Sequence, residues 1–81
     1  RELGMSERQL ERRFLARVGV TPRSWATLRR FERAVALAAA TPDAPLTNVA
    51  LDAGYYDQSH FIRDVRRRAG QRPTTLFRRA R

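Results

Sequence analysis

Residues 57–73 read DQSHFIRDVRRRAGQRP, and their side chains sort by helical angle into two chemistries. At 100° per residue, Phe61, Ile62, Val65 and Ala69 fall in one sector, whereas Ser59, His60, Arg63 and Arg67 fall opposite, with Arg66 on the flank. An arginine fork can donate two hydrogen bonds to guanine O6 and N7. The amide of Gln58 can pair in the same way with adenine N6 and N7, and serine or histidine suits several base edges. A second stretch, ERQLERRFLARV at 7–18, carries the same arrangement. There Leu10, Phe14 and Val18 are expected to point inward and Arg8, Gln9, Arg12, Arg13 and Ala16 outward. Further arginines and helix N-terminal amides suit phosphates, which position a protein on a duplex without reading its sequence.

The other residue types leave little to work with. The chain has no cysteine, which excludes a disulfide framework and a thiolate metal site. Its single histidine, His60, lacks a carboxylate or thiol constellation for metal ligation or general-base work. It reads equally as a plain surface histidine and as a base contact. The four glycines are scattered as helix stops, so there is no phosphate-cradling loop. No catalytic residue, metal or cofactor is expected: the chain reads as a binding module, not an enzyme. Glu7, Glu11 and Glu32 are expected to pair with nearby arginines on helix surfaces, at ~0.2–0.5 kcal/mol per pair. Asp64, one turn from Arg67 and Arg68, is expected to do likewise. Arg17, Arg29, Arg33, Arg78 and Arg79 read as a solvated background that attracts DNA. Trp25 and Tyr55 are expected in the core, Trp25 near Leu76 and Phe77 or against its own helix, with Tyr56 exposed.

Short, well-stopped helices must hold these side chains. Ser6 caps a helix over about 7–18 that Gly19 stops. Thr21-Pro22 open a long helix over 22–40, on which Trp25, Leu28, Phe31, Val35 and Ala38 recur three or four apart. TPDAP, 41–45, is a loop. A short helix over 46–53 turns Leu46, Val49 and Ala50 inward and stops at Gly54. Asp57 caps the next, 58–69, which Gly70 ends, and Pro73 opens a last one over 73–80, docked by Leu76 and Phe77. No strand pattern occurs.

Laid on itself at an offset of 51, the chain matches cap to cap (Ser6 on Asp57) and anchor to anchor (Leu10 on Phe61, Phe14 on Val65). Gly19 falls on Gly70 and Pro22 on Pro73, and Gly4 matches Gly54 with one residue of slippage. Two copies of one unit account for this: helix, glycine turn, capped helix, glycine, proline-started helix. That is the helix-turn-helix arrangement, whose second helix enters the major groove.

Charge agrees. Seventeen basic residues, all arginine, face eight acidic ones, for a net charge of +9 and a pI near 11.7. A small domain this basic most often binds nucleic acid. Aromatics at core spacings disfavour single-stranded or RNA recognition by stacking. A membrane-surface or acidic-protein binder would need one long amphipathic helix with a free apolar face. No apolar run approaches the ~20 residues of a membrane span and no signal-peptide pattern opens the chain, so a soluble, cytoplasmic protein is expected. Eighty-one residues make a single domain near the lower limit for one hydrophobic core, and a start at Arg1 suggests a piece of a longer polypeptide.

The stretch VALDAGYYDQSHFIRDVRRRAGQRPTTLFRR resembles the signature of the C-terminal DNA-binding domain of AraC/XylS-family transcription regulators. The matching places are Val49-Ala50, Gly54-Tyr55, Ser59-His60-Phe61, Arg63 and Gly70-Gln71-Arg72-Pro73. His60 departs from the family's usual aromatic and Val65 from its usual phenylalanine. LGMSERQLERRFLARVGVTPRSW resembles the family's first recognition helix and the start of its linking helix, which Arg30, Phe31, Ala34 and Leu37 continue. The family domain begins with a further helix and a complete first helix of the N-terminal motif, to which only Arg1-Glu2-Leu3 correspond here.

The resemblance covers essentially the whole chain. It implies an all-α fold of two homeodomain-like helix-turn-helix units: 1–19 the remainder of the first, 22–40 the linking helix, 46–69 the second and 73–80 a C-terminal helix. It also implies sequence-specific binding of double-stranded DNA by a bacterial regulator, with helices 7–18 and 58–69 in adjacent major-groove segments. RNA polymerase would be met through the parent protein, effector and dimerisation domains would lie elsewhere, and the chain itself would be monomeric. Family contact positions fall on Arg8, Glu11 and Arg12, and on Gln58, Ser59, His60, Ile62 and Arg63. The angular reading sets Glu11 and Ile62 nearer the buried edge. The candidate DNA-binding set is therefore Arg8, Gln9, Arg12, Gln58, Ser59, His60, Arg63 and Arg67.

Overall fold

The computed structural model describes residues 6–77. Helix α1 (Glu7–Val18) starts at a reciprocal cap: the Ser6 hydroxyl accepts from the Gln9 backbone N–H at 3.1 Å, and the Gln9 amide oxygen accepts from the Ser6 N–H at 2.9 Å. Helix α2 (Pro22–Ala40) is capped by Thr21, whose hydroxyl accepts from Ser24 N–H at 3.0 Å. Helices α3 (Leu46–Ala53) and α4 (Gln58–Ala69) follow, the latter capped by the Asp57 carboxylate accepting from His60 N–H at 2.8 Å. These bounds coincide with those expected from the caps and stops. Helix α5 (Pro73–Leu76) is shorter than expected, a single turn after its proline. The expected roles of Gly4, Arg78 and Arg79 lie outside the described residues.

The core is built from the second half of the chain. Ala34 and Ala38 of α2 meet Leu46, Val49, Ala50 and Ala53 of α3, and Tyr55, Phe61 and Val65 close the cluster, with Phe31, Leu37, Leu76 and Phe77 packed around it. Alanines at the α2–α3 contact let the two backbones approach closely. Phe61 sits edge-on to Tyr55, ring centres 5.0 Å apart, and parallel to Phe77 at 6.3 Å. These contacts seat α4 with one side inward.

Helix α1 is treated differently, against expectation. Leu10, Phe14 and Val18 are exposed, Phe14 to 63%, whereas their repeat counterparts Phe61 and Val65 are buried at 1% and 0%. In the second copy α3 covers that side. Its counterpart in the first copy falls ahead of residue 6, and no described element lies over the apolar side of α1. Instead α1 turns Leu15 onto the start of α2, where the Trp25 indole N–H donates to Glu11 Oε2 at 2.7 Å. Of the two expected settings for Trp25, that near Leu76 and Phe77 does not occur: it is half-buried at the α1–α2 junction with Arg29 of its own helix 5.8 Å from its ring centre, and the partner of Glu11 is its indole rather than an arginine. The reason is distance along α2: Trp25 precedes Phe31, the first core position, by six residues, or ~9 Å.

The molecule measures 50 × 22 × 19 Å, with a radius of gyration of 15.4 Å against ~12 Å for a compact chain of this length. Helix α2, nineteen residues and ~28 Å long, separates α1 from the packed α3–α5 end.

Candidate nucleic-acid interface

Burial on one side of α4 defines its free side. Phe61, Asp64 and Val65 are buried and Ile62 and Ala69 half-buried, while Gln58, Ser59, Arg63, Arg66 and Arg67 are exposed. The angular reading of the apolar residues and of the arginines therefore holds. Asp64 pairs with Arg67 and Arg68 as expected, but its burial was missed. Expected on the surface, this carboxylate is 1% exposed. It accepts the Tyr55 phenol at 2.7 Å, Arg68 Nε at 3.2 Å on both oxygens, and the Arg67 guanidinium. Burial by itself would raise its pKa. The hydrogen bonds from Tyr55 and Arg68 and the charges of Arg68 and Arg67 outweigh burial and hold it below the usual carboxylate range. The Tyr55 phenol is pushed up to about 12, chiefly by burial and then by its bond to Asp64. Arg68 continues the chain to α2, donating from Nη2 to Thr27 Oγ1 at 2.9 Å and lying 5.9 Å from the Phe31 ring centre.

His60 is half-buried and takes part in the turn. Its Nδ1 accepts the Tyr56 backbone N–H at 3.2 Å, and its ring stands edge-on to Tyr55 with centres 5.2 Å apart. With Nδ1 accepting, the neutral ring carries its proton on Nε2, which can donate. Arg67, exposed along most of its length, is tied at its tip to Asp64. Arg63 stands on the exposed side one turn before it.

Two arginines of α2 hold the turn that aims α4. Arg33 donates from Nε and Nη2 to the Ala53 carbonyl at 3.1 and 3.0 Å, closing the C-terminus of α3. Arg30 lies 4.5 Å from the Tyr55 ring centre. The next residue after Ala53, Gly54, has φ +109°, and a Cβ there would come within 3.3 Å of Arg33 Nη2. Arg33 is consequently a structural clamp, not the solvated charge expected of it. No local pattern points to a carbonyl twenty positions along the chain, so this role was invisible without the tertiary fold.

On α1 the expected outward residues Arg8, Gln9, Arg12, Arg13 and Ala16 are all exposed, but among its residues only Leu15 is buried, so exposure does not single out one reading side. The Gln9 amide oxygen is occupied by the cap. Arg12 borders two shallow depressions, one shared with Gln9 and Arg13, the other with Arg8, Glu11 and Trp25. At the other end a cleft of about 260 Å³ runs between α4 and the start of α5, with Gln58 and Ile62 on one wall and Arg66 and Arg72 among its polar groups. Among the described residues no group of three or more His, Asp or Glu could hold a metal ion, and no helix is long and apolar enough to cross a membrane.

A family described as "Helix-turn-helix domain" matches residues 1–79. The chain is 35% identical over 74 residues to the HTH-type transcriptional regulator ExsA of Pseudomonas aeruginosa, a match that covers 91% of this chain and 26% of that protein. It is 36% identical over 63 residues to the HTH-type transcriptional regulator MtrA of Neisseria gonorrhoeae, covering 78% of this chain and 21% of that protein. The chain thus spans about a quarter of the length of these curated relatives. No solved structure matches it significantly.

Proposed function

The chain belongs to the AraC-type helix-turn-helix family of transcription regulators, DNA-binding proteins rather than enzymes, and from that premise we propose that it recognises a specific duplex sequence through α4 and α1 in successive major-groove segments. The observation that carries the reading is the division of α4: a side buried by Phe61 and Val65, and an opposite side on which Ser59 and Arg63 stand free, with Gln58 exposed at the start of the helix. In this reading Arg63 forks onto a guanine, while Gln58, Ser59 and the Nε2–H of His60 contact neighbouring base edges. Arg67 reaches a phosphate from its anchor on Asp64. On α1, Arg8 and Arg12 read bases and the Gln9 NH₂ supplements them. In the parent protein, contact with RNA polymerase and a cytoplasmic location complete the proposal, with this domain itself monomeric.

The length of α2 supports a two-block site. A ~28 Å connector between two reading helices approaches the ~34 Å repeat of one groove face. One copy of the domain then reads an asymmetric site with information in two blocks about one helical turn apart. Selection from random duplexes at physiological salt, followed by footprinting of spacer variants, tests this. Two blocks should emerge, and a five-base-pair insertion should remove the contribution of one. Absence of any consensus would overturn sequence-specific recognition; one block indifferent to the spacer would remove α1 from the reading role.

A further inference from the structure

We propose that Asp64, through Tyr55, Arg68 and Thr27, is a positioning residue for DNA recognition: it sets how α4 is held against α2 and where the Arg67 guanidinium stands. This rests on the reading of α4 as a recognition helix. A carboxylate buried on the inner side of a helix that faces a polyanion is an unusual investment. It adds negative charge next to Arg63 and one turn from Arg67, and a hydrophobic residue there would join Phe61 and Val65 in the core. The carboxylate is compensated by groups from separate elements. Tyr55 comes from the α3–α4 turn, Arg67 and Arg68 from the last turn of α4 itself, and Thr27 from α2 by way of Arg68.

The directionality of these bonds matters more than their sum. Apolar contacts at Phe61 and Val65 tolerate small rotations of α4. The Tyr55 hydroxyl at 2.7 Å, the Arg68 Nε at 3.2 Å to both oxygens and the Thr27 hydroxyl at 2.9 Å do not. Arg68 also spans 41 positions of sequence to reach Thr27, so its bond ties the far end of α4 to the helix that carries α1. Bidentate base readout needs this kind of angular control, because a site a fraction of an ångström loose loses discrimination while keeping its charge.

The test exploits opposite signs. Asp64→Asn raises the net charge from +9 to +10, so charge alone predicts tighter binding to every duplex. Positioning predicts that non-specific affinity holds or rises while the ratio of specific to non-specific affinity falls about tenfold, the scale of a single bidentate base pairing. The full polypeptide would be titrated with selected and scrambled duplexes, with thermal unfolding recorded in parallel to confirm that each variant is folded at the titration temperature. Tyr55→Phe, which removes one hydroxyl, should lower the ratio in the same direction. Thr27→Val should also lower it, and Thr27→Ser, which keeps the hydroxyl, should restore it. A wild-type protein with no preference between the duplexes would overturn the recognition reading itself. A wild-type preference retained unchanged in folded Asp64→Asn, Tyr55→Phe and Thr27→Val would overturn the positioning role alone.

Discussion

Replacing Gly54 with alanine should destabilise the domain well beyond an ordinary helix-stop substitution, and the structure supplies the magnitude. Gly54 ends α3 at φ +109°, where an L side chain is strained by ~1–2 kcal/mol. Its new Cβ would also stand 3.3 Å from Arg33 Nη2 and 3.7 Å from Arg30 Cδ. Relief requires Arg33 Nη2 to give by a few tenths of an ångström, which strains its hydrogen bonds to the Ala53 carbonyl; the worth of bonds from a charged donor, ~1.5–3 kcal/mol, is the upper limit of this cost. The total is ~1–5 kcal/mol, which at its upper end is a large part of the ~4–12 kcal/mol available to a domain of this size. At Gly70, φ +71°, a methyl group would meet nothing within 4 Å, so Gly70→Ala should lose only the backbone strain. Urea unfolding followed by far-UV circular dichroism measures both. In an Arg33→Ala background the cost of Gly54→Ala should shrink to that of Gly70→Ala, a coupling of at most ~3 kcal/mol. Equal costs for the two glycines in the native background, or an undiminished Gly54→Ala cost without Arg33, would refute the clamp.

Four further outcomes follow from other parts of the molecule. Phe61→Ala should cost ~3–5 kcal/mol, whereas Phe14→Ala, at a core-facing position of the first copy but 63% exposed, should cost much less in this chain; equal losses in chemical unfolding would mean that α1 is buried after all. Because the folded-state pKa of Asp64 is depressed, its contribution is present above the ordinary carboxylate pKa of ~4 and lost as pH falls through the lower folded value. Urea midpoints should therefore drop below pH ~4 in the native protein and drop less in Asp64→Asn. With Tyr55 raised to about 12, a second loss should begin above pH ~10 and be absent in Tyr55→Phe. Finally, the logarithm of DNA affinity should fall linearly with that of salt, at ~−0.9 per phosphate contacted; a slope near zero would contradict phosphate contact by these arginines.

How much of this was legible in the sequence depends on the range of the interaction. Helix bounds were, because caps and stops act within one turn: Ser6 with Gln9, Thr21 with Pro22, Asp57 with the His60 N–H and the glycines at 54 and 70 all operate locally. The two faces of α4 were legible too, since an apolar sector of Phe61, Val65 and Ala69 has only one way to face a core. The same logic applied to α1 gave the wrong result for Leu10, Phe14 and Val18. Periodicity states which side of a helix is apolar, not whether anything is there to cover it. Spacing paired Arg67 and Arg68 with Asp64, one turn away, but it could neither show that this carboxylate is buried nor assign the other arginines. Arg33, Arg67, Arg68 and Arg63 are chemically identical, yet one closes a helix end, two compensate a buried carboxylate and one stands free. That division was decided by tertiary packing, because a guanidinium on a long flexible stem takes its role from whichever acceptor the fold brings within about 3 Å, and those of Arg33 and Thr27-bound Arg68 come from twenty and forty-one positions away.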